Sequence, residues 1–64
     1  MQTVIFKEVG RRNDSWSAQT NEITYDFMFG QVKKHGVMSS DIDFINGRIY
    51  AGFHCIGTYE IKEG

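Results

Sequence analysis

From Ile49 to Ile61 every odd position of the chain is apolar or small: Ile49, Ala51, Phe53, Cys55, Gly57, Tyr59 and Ile61. Such alternation marks a strand with one face turned to a core. The length of this run restricts the fold more than any other feature. Thirteen extended residues at roughly 3.3 Å each span about 43 Å. A single domain of 64 residues has a radius of gyration near ~11 Å, hence a diameter of about 28 Å. The run cannot be straight. Gly52 and Gly57 are where it can bend, as glycines do at barrel corners. The alternation keeps its phase past both, so a kink is expected rather than an inserted residue. On this reading Cys55 lies in the core series, where a free cysteine behaves as a small hydrophobe.

The local signal before the run is Asn46-Gly47, flanked by "DIDFI" and "RIYAG". Asn-Gly is the preferred pair for a two-residue type I′ turn, since both residues tolerate positive φ. That turn would pair Ile45 with Arg48, Phe44 with Ile49 and Ile42 with Ala51. Residues 2–9, "QTVIFKEV", read as a strand, 10–14 as a polar turn, and Ser15 to Thr20 as a strand returning beside the first.

Residues 21–36, "NEITYDFMFGQVKKHG", fit two periods. With period two, Ile23, Tyr25, Phe27 and Phe29 share a face. With the helical period, Tyr25, Met28, Phe29 and Val32 do, and Gly36 follows a basic last turn. The helical reading leaves Ile23 and Phe27 off the apolar face. It also places Gly30 mid-helix, at a cost of about 1 kcal/mol against alanine. The strand reading is favoured on those two counts.

Composition agrees with strands. The chain has no leucine or proline and only two alanines, and its apolar mass is Ile, Val, Phe and Tyr, side chains that suit pleated sheets. The expected fold is all-β, a small antiparallel sheet or open barrel of four to six strands in one domain, 1–64. The alternative is α+β, a β-α-β-β arrangement with one helix at about 21–35.

A net charge of −1 provides no general attraction for nucleic acid or an anionic membrane. One cysteine forms no internal disulfide, and the N-terminus lacks the basic start and apolar run of a leader, so a cytoplasmic location is the default. His54 and Cys55 are adjacent, hence on opposite faces of a strand, and make no nucleophile–base pair. The remaining His, Cys and Asp positions show no ligand spacing for a metal. No glycine-rich phosphate loop or family motif is present. No catalytic residue and no cofactor is expected.

The candidate binding residues fall in two groups. Trp16, between two serines, and the strand face of Tyr50, His54, Ile56 and Thr58 offer apolar area for a protein partner. Arg11, Arg12, Lys33 and Lys34 form two short basic clusters at turn tips. If the tips converge, they suit the phosphates of a single strand.

The expected function is a non-enzymatic protein-binding module. By analogy of size alone, it is an inhibitor or adaptor of the sort that phages and mobile elements direct at a host protein. The alternative is a small β-barrel binding a small ligand or single-stranded nucleic acid. A homodimer is also expected, through the Tyr50–Thr58 face or a free strand edge, because so short a chain usually supplements its core with a disulfide, metal or partner.

Overall fold

A computed structural model describes residues 1–37 and 40–63. The element order is β1 (Gln2–Val9), β2 (Asp14–Thr20), α1 (Tyr25–Lys34), β3 (Asp41–Asp43), β4 (Arg48–Ala51) and β5 (His54–Glu63). The strands form one antiparallel sheet in the order β2-β1-β5-β4-β3. The helix lies over one face. β5, ten residues and so roughly 33 Å long, matches the 31 Å long axis of the molecule.

The core sits between α1 and the sheet: Val4, Phe6 and Val9 of β1, Met28 and Val32 of the helix, Ile49 of β4 and Tyr59 of β5 are all buried. Trp16, Ile23, Phe27, Phe29, Val37, Ile42 and Ile56 pack around them, partly buried. The opposite face has no covering element among the described residues. It carries Lys7 and Glu60, paired at 3.1 Å, an exposed ion pair worth little to stability.

The favoured strand reading of 21–36 is corrected: residues 25–34 are helical. Both ends explain why. Thr24 caps the first turn, its hydroxyl accepting from the Phe27 N–H at 3.1 Å, with Asp26 in the first turn and Lys33 and Lys34 in the last. The C-terminus closes as a Schellman motif, Gly36 N–H donating to Lys33 and Val37 N–H to Val32. Ile23 is not stranded. It precedes the cap and packs on the core with Met28, the positions of a hydrophobic staple.

The Asn46-Gly47 register is also corrected. The pairs are Asp43 with Arg48, Ile42 with Ile49 and Asp41 with Tyr50, so the loop has four residues, Phe44 to Gly47. Only Gly47, at φ +69°, has positive φ there, not Asn46, which excludes a type I′ turn. Asp43 imposes the longer loop. Its carboxylate accepts from the N–H groups of Ile45 and Asn46 and from Asn46 Nδ2 at 3.0–3.1 Å, while Gly47 N–H donates to its carbonyl.

The two-residue turn is found instead at Gly52-Phe53, between the paired Ala51 and His54. Gly52 has φ +64° and Phe53 does not share it, the pattern of a type II′ turn. The alternating run is thus two strands folded together. Nor does it keep phase. Ile49 pairs with Gly57 but Tyr50 with Cys55, so Ile56 is an inserted bulge residue. The bulge turns Ile56 toward the core and Cys55 out of it, and Cys55 is exposed. A second bulge in β1, with Glu8 at φ +52°, lies beside the first, and Gly10 N–H bridges to the Ile56 carbonyl at 2.9 Å.

Candidate functional site

Four regions of the surface carry chemistry. The first is the end where the β1–β2 turn meets the helix C-terminus. Asp14 accepts from Arg12 at 3.3 Å and lies 2.9 Å from His35 Nδ1. The hydrogen bond with His35, followed by the charge of Arg12, holds the Asp14 carboxyl below its ordinary 3.8 against an opposing push from burial. The His35 ring stacks on Trp16 at 3.6 Å, and Trp16 stacks on Phe6 at 4.5 Å. Trp16 Nε1–H donates to Gln31 Oε1 at 3.1 Å. This assembly ties helix, β2 and β1 together. It brings the tip carrying Arg11 and Arg12 to the helix end carrying Lys33 and Lys34, all four exposed. Arg12 is partly neutralised by Asp14, and Trp16 is already stacked on two rings.

The second region is a cleft of about 420 Å³ where the two bulges lie side by side, lined by Lys7, Glu8, Gly10, Asn13, Cys55, Ile56, Gly57 and Thr58. The Cys55 thiol donates to the Gly57 carbonyl at 3.4 Å, and among the described residues no side chain hydrogen-bonds to it. Among the described residues no three His, Cys, Asp or Glu side chains come together to hold a metal ion.

The third is the open face of the sheet. Tyr50 is half-buried there beside Arg48, whose guanidinium the Tyr50 hydroxyl and then Cys55 hold further toward its charged form. The anticipated face of Tyr50, His54, Ile56 and Thr58 is divided by the bulge. Ile56 joins the core packing, and His54 is exposed at the start of β5, paired with Ala51.

The fourth is the β3–β4 loop, which puts two large apolar side chains into water. Ile45 is 93% exposed and Phe44 48%. The loop is held from several sides. Beyond the Asp43 bonds, Tyr59 N–H donates to the Gly47 carbonyl at 2.9 Å, and the Tyr59 hydroxyl donates to the Asp43 carbonyl at 3.0 Å. Burial, then the nearby Asp43 charge, raises the Tyr59 phenol and keeps it a donor. The hydrogen bonds from Asn46 lower the Asp43 carboxyl. Across β4, at the Gly52-Phe53 turn, Phe53 is fully exposed. Reading Asn-Gly as a two-residue turn assigns Phe44 to the core. The missed signal is Asp43, four residues ahead of Gly47, where an aspartate side chain nucleates a longer loop.

No helix of the described residues is long and apolar enough to cross a membrane. No protein-family model, curated protein or solved structure matches the chain.

Proposed function

We propose that the protein is a non-enzymatic protein-binding module that inserts the Phe44–Ile45 loop into an apolar pocket of its partner. One observation carries the reading: two adjacent large apolar side chains stand in water on a loop fixed by its own N–H groups donating to the Asp43 carboxylate and by the Tyr59 hydroxyl donating to the Asp43 carbonyl. Burying an isoleucine or phenylalanine side chain gains about 1.5–3 kcal/mol. A loop already held in one shape loses little conformational entropy on docking. Phe53 provides a second apolar point beyond the other end of β4. A small inhibitor or adaptor acting on a cytoplasmic host protein, of the sort carried by phages and mobile elements, is the form of this reading that size suggests.

Affinity capture from lysate of the source cell, with wild type and Ile45→Asp as paired baits, tests it. A protein retained by wild type and lost by a variant of unchanged melting temperature supports the loop as the contact. Equal retention by both baits rejects it.

Single-stranded nucleic acid is the second reading, supported by the convergence of the Arg11-Arg12 tip with the Lys33-Lys34 helix end. The stacking of Trp16 on Phe6 and His35 weakens it, because little open ring is left for a base. Binding through that end would weaken steeply between low and moderate salt, whereas docking of the apolar loop would not.

A further inference from the structure

The sheet ends in two edges of different character. The β3 edge has three residues, and two of them are Asp41 and Asp43. Short length and like charges are the features that keep an edge from pairing with another chain. The β2 edge has seven residues, "DSWSAQT". It has no lysine and no proline, its only charge is Asp14 at the first position, and the neighbouring bulge is in β1, not in β2. Among the described residues no backbone group bonds to its outer side.

We propose that the β2 edge pairs antiparallel with the β2 edge of a second copy, joining two sheets about a two-fold axis into one sheet of ten strands. A two-fold axis through the sheet requires paired residues to share a face, so the sum of their numbers must be even. The register that pairs all seven residues sets Ser17 opposite Ser17 of the copy. Trp16 then faces Ala18, Ser15 faces Gln19, and Asp14 faces Thr20. This register is self-complementary. The bulky Trp16 meets the smallest side chain of the strand, and the single charge meets a hydroxyl rather than another carboxylate. Just past the strand ends, the Arg11-Arg12 turn of one copy approaches Glu22 of the other, opposite in charge and exposed. Shifting the register by two sets Trp16 against its own copy or leaves Asp14 without a partner. The helices of both copies lie on the same side of the joined sheet.

Ser17 is exposed on the open face, paired with Ile5 inside its own chain, so charged replacements there leave the monomer's core untouched. The test is sedimentation of the full chain across the micromolar range. Wild type is expected at twice the 7.4 kDa chain mass. Ser17→Lys alone and Ser17→Glu alone are each expected as folded monomers, because like charges then meet on the axis. An equimolar mixture of the two is expected to return to the dimer mass as the mixed pair. Ile45→Asp, on a different strand connection, is expected to remain dimeric, which separates this proposal from the loop-docking one. A wild type that stays monomeric throughout, single variants that stay dimeric, or a mixture that does not recombine would each overturn the proposal. In the first case the edge is left open to a strand of a different protein.

Discussion

A methyl group added at residue 57, 47 or 30 meets three different surroundings. At Gly57 it lies 2.7 Å from Val9 Cγ2 and 2.9 Å from Val9 Cα. Backbone cannot yield as a side chain does, so Gly57→Ala is expected to cost about 1–3 kcal/mol in urea unfolding. At Gly47 the same methyl lies 2.8 Å from the Tyr59 carbonyl at φ +69°, and Gly47→Val is expected to lose more than ~1 kcal/mol. Cys55 is the contrary case. The bulge places it outside, so Cys55→Ser is expected within about 0.5 kcal/mol of wild type. A thiol reagent should label the native protein at nearly the rate of the unfolded chain, and slow native labelling would return Cys55 to the core. Asp14 and Asp43 both contribute to stability against acid. Each binds its proton less readily folded than unfolded, so each stabilises the fold above the ordinary carboxylate value of 3.8. That contribution disappears as pH falls through the lowered folded values. Melting temperature followed against pH should therefore begin to fall below about pH 4, and Asp43→Asn should flatten part of that fall.

At the scale of elements, α1 shows why periodicity alone leaves a segment undecided. Ile23, Tyr25, Phe27 and Phe29 satisfy period two while Tyr25, Met28, Phe29 and Val32 satisfy the helical period, and aromatic residues suit both. The ends break the tie, through the Thr24 cap, the staple and the Schellman closure. Gly30 counts against a helix only through its own conformational freedom, for a methyl group there meets nothing within 4 Å. Gly30→Ala is accordingly expected to stabilise the protein by about 0.5–1 kcal/mol, and Thr24→Ala to destabilise it by about 1 kcal/mol. Chemical denaturation of both variants checks the pair. β1 and β2 were legible at once, their limits set by "QTVIFKEV" and the polar turn after it, because local alternation and turn residues agree there. The β3–β4 hairpin was legible as a hairpin but not in register. Whether Asn46-Gly47 makes a two- or a four-residue loop depends on an aspartate side chain folding back onto the loop backbone.

For the whole molecule, one small core between a helix and a sheet must hold every element, and Trp16 is where three of them meet. Trp16→Ala removes the stacking on Phe6 and His35 and the bond to Gln31, and is expected to cost about 3 kcal/mol. A core of this size supplies only ~3–5 kcal/mol in total, which leaves about 0–2 kcal/mol, so the variant should be marginally stable, partly unfolded at room temperature and melting far below wild type by circular dichroism. The sequence by itself determined the strand-rich composition, an antiparallel sheet within the expected range of strands, the first two strands and the absence of a general nucleic-acid charge. These follow from side-chain shape, alternation and net charge, which act locally or add over the chain. The tertiary structure alone decided which face of the sheet the helix of residues 25–34 covers, that Ile56 is inserted so that Cys55 leaves the core, and that Phe44 and Ile45 stand in water. Each of these depends on a neighbour distant in sequence: the exposed sheet face that needed a cover, the β1 bulge that Ile56 matches through Gly10, and the Tyr59 backbone and hydroxyl that hold the loop. A one-residue shift inverts every side chain beyond it, and only the partner strand fixes where that shift occurs.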